Sequence, residues 1–423
     1  MYNLRVSKQI KLKNTKKVVL VTKFFPPDFA ATGQLLDELT KRLVSVYPIE
    51  FIIQTGMPSY AFKKEIKALR KTVHEKILIN RSLFSKFFRD KSLLSRTLNG
   101  IIFSIEATFN LLCNLYMKYD LIIYTTEPPF LNFFAFLIHK INKKPYILII
   151  YDLYPEIIIK NKILKKDNIL IKIWNFMNKV SYSNACEIII LSDSISKNFN
   201  KYNINVRKKI NIIPSWCNHE KIIPREKSNN PLAQELGVQD TFNILYSGNQ
   251  GKCHDLITLI DTAFILREIK NIRFIIIGDG VQNKTIKNLS HKYKLKNCLF
   301  LPFQEKDVLP YSLTLADLSI VSIASNSKGL VAPSKLYGHL SIAKPIAVIC
   351  PRSSYLKNLV EDNQLGKWFK NGDSKGLSHF IKNLICDKNL SYKYSQNSRS
   401  YIIKNANFYD ISEKYYSLIK KNL

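Results

Sequence analysis

Acidic side chains are scarce in this sequence: 32 Asp and Glu stand against 64 Lys and Arg, a formal charge of +32 over 423 residues. Such an imbalance directs a protein towards something anionic, either nucleic acid or a membrane surface. Cysteine pairing is missing too. The seven cysteines, Cys113, Cys186, Cys217, Cys253, Cys298, Cys350 and Cys386, are scattered, odd in number and without CxxC or zinc-ligand spacing. That argues against a disulfide framework and predicts reduced thiols. The seven histidines form no HExxH pair. No run of 18 residues is free of charge, so no membrane-spanning helix is expected. The nearest approach, NGIIFSIEATFNLLCNLYM, is interrupted by Glu106 and predicts a buried or interfacial helix. The opening MYNLRVSKQIKLKNTKK lacks the apolar core of a secretory signal. Together these absences give a cytoplasmic expectation.

What is present is apolar and alternating. The hydrophobic fraction is 46%, and the length suits two domains. KKVVLVTKF, IEFIIQT, YDLIIYTT, KPYILIIYD, CEIIILS and INIIPS are short apolar runs bounded by turn or polar residues. Helical spacing lies between them, as in GQLLDELTKRLVSV. This is the pattern of βαβ units and a parallel sheet. Residues 218–240 are polar, contain Pro224 and Pro231, and read as a linker. Alternation then restarts with FNILYSG, IRFIIIGDG, NCLFLPF, DLSIVSI and KPIAVI. Helices are expected at 255–270, 281–293 and 333–342. The expected division is an α/β chain with a first domain over 1–217, a linker, a second domain over 241–400, and a C-terminal helix in 401–423 that packs back on the first domain. Two open α/β domains place a ligand cleft at the carboxyl ends of their strands.

Three loops carry the chemistry. FFPPDFAATGQLLDEL, residues 24–39, leads from a strand through Pro26 and Pro27 to Thr32, Gly33 and a helix; amides at a helix start attract anions. YSGNQGKCHDLITLI, residues 246–260, runs from a strand into Gly248, Asn249, Gln250, Gly251 and Lys252. The glycines let a ligand approach the backbone, and Lys252 supplies a point charge for a leaving phosphate. The loop is neither GxxxxGK[ST] nor GxGxxG, which removes the main support for a P-loop enzyme or a dinucleotide oxidoreductase. GLVAPSKLYGHLSIAKPIAVI, residues 329–349, brings Pro333, Ser334 and Lys335 to the start of a helix, a good diphosphate site. For each loop the plainer alternative is a structural turn with an exposed lysine.

These motifs, with YDLYPE, IIIGDG and LPF, occur in an order that resembles retaining glycosyltransferases of family 4. The subgroup it looks most like builds O-antigen, colanic acid and related envelope polysaccharides. The resemblance spans nearly the whole chain. It implies two Rossmann-like domains facing a cleft (GT-B), no metal, and a nucleotide-sugar donor held mainly by the C-terminal domain. It also implies a lipid-linked or saccharide acceptor on the N-terminal side. The donor candidates are then Gly33, Gly248, Asn249, Gly251, Gly278, Asp279, Gly280, Leu330, Val331, Pro333 and Ser334. Lys252 and Lys335 would stabilise the leaving diphosphate. Asp152 stands where many members have a histidine facing the donor sugar, and is a catalytic candidate. Thr32 and Glu156 are acceptor-side candidates. Asp152 could instead cap the next helix or pair with a lysine. One departure is plain: where many members carry two glutamates, one of them on the nucleotide ribose, this chain has Leu330 and Gly338.

Residues 63–96 hold 11 Lys and Arg against three acids, interleaved with Leu69, Leu83, Phe84, Phe87, Phe88, Leu93 and Leu94. Such a stretch can lie in the headgroup layer of an anionic bilayer, giving peripheral attachment at the inner face of the cytoplasmic membrane. Its plain alternative is an amphipathic segment packed on its own domain. Other readings are a nucleotide-sugar epimerase on the same fold and a non-catalytic membrane-surface protein. A nucleic-acid partner is not expected, because no binding motif gathers the basic residues.

Overall fold

The computed structural model describes residues 15–28, 30–58, 68–86, 88, 93–113 and 118–423. The chain forms two compact units. The first comprises Met1–Ile149, Val180–Glu187 and Tyr415–Leu423, the second Ile150–Lys179 and Ile188–Lys414. The second therefore takes in 150–179 and 188–217, which the sequence reading had given to the first domain.

One sheet is built from β1 (Lys16–Val21), β2 (Ile49–Gly56), β3 (Lys71–His74), β4 (Ile77–Ser82), β5 (Leu121–Thr125), β6 (Tyr146–Ile150), β7 (Glu187–Ile190) and β8 (Ile210–Ile212), in the order β3-β4-β2-β1-β5-β6-β7-β8. β1 pairs in parallel with β2 and β5, with Val18 opposite Phe51 and Leu121. The expected apolar runs form these strands because they are covered on both faces: Val18, Val19, Leu20 and Val21 are almost wholly buried. Glycine packs one helix tightly. A Cβ on Gly33, in α1 (Ala31–Val46), would stand 2.8 Å from the Phe24 carbonyl oxygen.

The basic segment 63–96 is not one amphipathic element. β3 and β4 form an antiparallel hairpin, Lys71 opposite Asn80, that joins the sheet through β2. Arg81 is buried, not presented outward; it donates to the carbonyls of Leu69 and Pro26. Leu83 and Phe84 are exposed on a short 3-10 turn whose amides donate to Glu106 of α2 (Leu93–Cys113), at 2.8 and 3.0 Å. Phe88 is exposed as well, its backbone held from both sides by Asn99. Phe87 lies outside the described residues, and the side chains of Leu93 and Leu94 are likewise not described.

The second sheet has six strands, β9 (Phe242–Ser247), β10 (Ile272–Ile277), β11 (Cys298–Leu301), β12 (Leu318–Ser322), β13 (Ile346–Ile349) and β14 (Gly366–Phe369), ordered β11-β10-β9-β12-β13-β14 and parallel throughout. The strand order reverses at β9, so the loop after β9 sits where open α/β sheets bind ligands. The helices Ile257–Ile265, Asn283–Lys292 and Lys335–Ser341 are each shorter than the sequence spacing predicts. Residues 218–240 are no free connector. Asn230 caps the helix Pro231–Glu235 and donates to the Tyr311 carbonyl at 2.8 Å, and Lys227 is paired with Asp317. Polar composition here serves side-chain contacts with the second unit.

The final helix, Phe408–Lys421, contributes its last turns to the first unit. Tyr415 and Ile419 line a small cavity with Leu20, Leu36, Leu43 and Phe51. Tyr416 stacks on Tyr47, and Lys421 reaches Glu187 at 2.6 Å.

Candidate functional site

Two glycine loops at the ends of β9 and β10 interlock by backbone. A Cβ on Gly278 would fall 2.1 Å from the Gly248 carbonyl oxygen, and one on Gly280 2.6 Å from the Gln250 carbonyl carbon. Both, like Gly248, have positive φ (+135° at 248, +124° at 278, +153° at 280), which side chains disfavour. The Gln250 amide donates to the Asp279 carbonyl at 2.8 Å, and the Gln282 amide to the Gln250 carbonyl at 3.1 Å. Gln282 also donates through its side chain to the Gly251 carbonyl at 2.5 Å. Asp279 is exposed, its carboxylate turned onto the Gly280 amide at 2.7 Å. Asn249 is exposed at the tip.

Lys335 begins its helix beside these loops. Its Nζ donates to the Tyr246 hydroxyl at 2.6 Å and stands 3.9 Å from the centre of that ring. The Tyr246 hydroxyl in turn donates to the Asn249 carbonyl at 2.7 Å. A Cβ on Gly248 would lie 3.1 Å from Lys335 Cε and 3.2 Å from its Nζ, so glycine there makes the lysine's seat possible. Burial lowers the Lys335 amine to about 7. The same cation, after burial itself, holds His254 and His339 down to about 3, so both rings are neutral. His254 makes a 2.8 Å hydrogen bond with the Ser322 carbonyl. His339, one helical turn beyond Lys335, is fully buried with no hydrogen-bond partner at either ring nitrogen.

Asp152, just past β6, reaches the same neighbourhood. Burial raises its carboxyl to about 6. Burial also lifts the Cys253 thiol to about 11, with the charge of Asp152 adding to the rise and that of Lys335 opposing it. Cys253 thus feels both candidate groups. Lys252, by contrast, is exposed, and among the described residues no hydrogen bond or ion pair ties it to this cluster. Glu156 is held by Lys201, which also bonds Asn175 at 3.0 Å.

The loop before Lys335 is fixed by neighbours. Asn198 donates to the Gly329 carbonyl at 2.8 Å, and Lys160 to the Lys328 carbonyl at 2.6 Å. Leu330 is buried, Val331 half-buried and Pro333 buried. Ser334 stands at the helix start with no capping bond from its hydroxyl. A Cβ on Gly338 would meet only Leu313 Cδ1, at 3.3 Å, so the backbone does not forbid a side chain there. Thr32 and Gly33 belong to the first unit, half-buried and buried.

Sequence reading missed Tyr246, Cys253, His254 and His339. Two signals were available: YSGNQGKCH concentrates a tyrosine, a thiol and an imidazole in nine residues, and His339 follows Lys335 by one turn.

The described residues hold no group of three or more His, Cys, Asp or Glu side chains placed to ligate a metal. Chemically, the cluster offers one cation, one carboxyl that titrates near pH 6 and neutral imidazoles; the space left by its glycines is taken up by neighbouring backbone and by Lys335, not by room for a ligand as the sequence reading expected.

Residues 231–401 match the family described as glycosyl transferases group 1. A Pseudomonas aeruginosa protein named glycosyltransferase WbjE is 21% identical over 331 residues, 77% of this chain and 80% of its own. The Escherichia coli K12 protein named colanic acid biosynthesis glycosyl transferase WcaI is 30% identical over 131 residues, 31% of this chain and 32% of its own. Among solved structures, Anabaena HepE in complex with UDP and glucose superposes with a TM-score of 0.71 at 14% identity, covering 96% of this chain and 100% of that one. The architecture is therefore that of the GT-B glycosyltransferases, as the motif order implied.

Proposed function

We propose that this chain is a retaining glycosyltransferase, a reading supported by the match of residues 231–401 to the family described as glycosyl transferases group 1. It moves a hexosyl or N-acetylhexosaminyl group from a nucleoside-diphosphate sugar to a lipid-linked or saccharide acceptor in envelope polysaccharide synthesis. One observation carries the reading: a half-buried lysine, Lys335, seated against Gly248 and the Tyr246 hydroxyl at the switch point of the second sheet. A lysine lowered to about 7 by burial gains most from an incoming anion. A diphosphate restores its charge, and that charge then stabilises the departing nucleotide as the sugar bond breaks. No resident metal enters this proposal. Asp152, half ionised near pH 6, is suited to accept a hydrogen bond from a sugar or acceptor hydroxyl. With Gly338 in place of an acid, the ribose contact falls to other groups, so the nucleotide base is left to experiment.

The test is a thermal-shift screen across nucleotide sugars, followed by product analysis with the stabilising donor. The expected result is a rise in Tm with one donor and an acceptor-dependent product that keeps the donor's anomeric configuration. A sugar epimerised without acceptor, or no stabilisation by any nucleotide sugar, overturns the reading. The proposal also places the protein at the inner face of a cytoplasmic membrane. No described helix is long and apolar enough to cross one, and Leu83, Phe84 and Phe88 are exposed.

A further inference from the structure

After α3 (Leu131–Asn142), α4 (Glu156–Lys160) leads to α5 (Ile169–Asn184), and α5 carries apolar side chains on two opposite faces. Its inner face is accounted for. Ile171, Trp174 and Asn178 are buried, Trp174 stacks on Tyr154 with ring centres 5.7 Å apart, and Asn178 donates to the Tyr154 carbonyl at 2.7 Å. The Asn175 side chain accepts from Lys201 at 3.0 Å. At 100° per residue, Ile169, Ile173 and Phe176 fall within about 60° of one another on the other side. These three, with Leu170 and Ile163 in the preceding loop, are 49–65% exposed. Lys162, Lys165, Lys166, Lys172 and Lys179 are exposed around them, with Asp167 as the one exposed acid from 160 to 179.

We infer that this outer face of α5 and the loop before it dock on an anionic lipid bilayer. A second copy of the chain does not fit, because pairing the face with itself would set lysines against lysines. A bilayer with anionic headgroups meets both chemistries: the lysines reach phosphates, and the isoleucines and phenylalanine enter the boundary of the acyl layer. The rigid inner face matters here, since it presents the outer side chains without refolding. This surface lies in the second unit and shares no residue with the exposed 83–88 turn of the first. The inference does not rest on sugar transfer.

The experiment uses the full chain and sedimentation with vesicles of phosphatidylcholine, alone or with about a third phosphatidylglycerol. Wild type is expected to bind the mixed vesicles and not the neutral ones. The Ile173→Asp/Phe176→Asp variant is expected to keep its Tm and its stabilisation by nucleotide sugar while losing at least about tenfold in vesicle affinity. Independently, Phe176→Trp is expected to add blue-shifted emission only when anionic vesicles are present. No binding by wild type, equal binding by the double variant at unchanged Tm, or added indole emission in Phe176→Trp that is indifferent to vesicles overturns the inference. So does a dimer in vesicle-free solution that the double variant abolishes, which would make this a self-association face.

Discussion

Lys335 and Lys252 are both lysines in glycine- or proline-marked loops, yet the fold treats them differently. Lys335 is half-buried and hydrogen-bonded to Tyr246; Lys252 is exposed. Lys335→Ala is expected to lower turnover by on the order of 10²-fold or more. Lys252→Ala should cost less, with Tm as the folding control in both. Equal losses in the two variants would contradict the assignment of the charge to Lys335. Protonation gives a second handle. The folded amine sits at about 7 against 10.5 for a free one. Between these values the unfolded chain holds more protons. The group's cost to the fold is therefore complete below pH 7 and is relieved as the pH rises towards 10.5. Donor binding runs the opposite way, because a diphosphate raises the amine again. Calorimetry in buffers of different ionisation enthalpy should show uptake approaching one proton per nucleotide sugar at pH 8 and little at pH 6. Affinity should fall by up to about tenfold per pH unit above 7. Lys335→Met should abolish the uptake; persistence of uptake in that variant assigns the proton elsewhere.

Among the elements, the loops after β9 and β10 act as one piece, and their glycines are not interchangeable with others. Gly278→Ala forces a Cβ to within 2.1 Å of the Gly248 carbonyl oxygen at a φ of +124°. It should destabilise by about 2 kcal/mol or more and weaken donor binding as the loops separate. Gly338→Ala, inside a helix and meeting only the buried Leu313 Cδ1 at 3.3 Å, should instead be tolerated, with a change in stability within about 1 kcal/mol. Urea unfolding of the two variants checks the contrast. The same elements show what the sequence can reveal. β1, β5, β6 and β10 were legible because burial on both faces demands an unbroken apolar run. β3, with Val73 alone among Lys71, Thr72 and His74, has no such run, and its strand character comes from pairing with β4. The place of Lys335 at a helix start was legible from Pro333 and Ser334 before it. The burial that lowers its proton affinity, and the Tyr246 hydroxyl it bonds across nearly ninety residues of chain, depend on tertiary packing, and no local pattern records them.

For the whole molecule, the +32 charge sets a baseline attraction to anionic surfaces that salt screens, while exposed apolar side chains add a part that salt leaves intact. Phe84→Ser/Phe88→Ser is therefore expected to bind anionic vesicles at low salt and to lose most binding at high salt, where wild type retains a fraction. Equal retention at high salt would free the 83–88 turn of this role. A different consequence follows from the last turns of the final helix. Tyr415 and Ile419 close apolar space beside Leu20 and Phe51, residues made roughly 400 positions earlier. At about 5–20 residues per second, a ribosome spends roughly 20–80 s between the two. Throughout that interval the nascent first unit holds an open apolar seam, a natural target for a chaperone. A message cut short at codon 414 would leave that seam open for good, so late nonsense mutations should yield insoluble protein even with every residue of the loops after β9 and β10 translated.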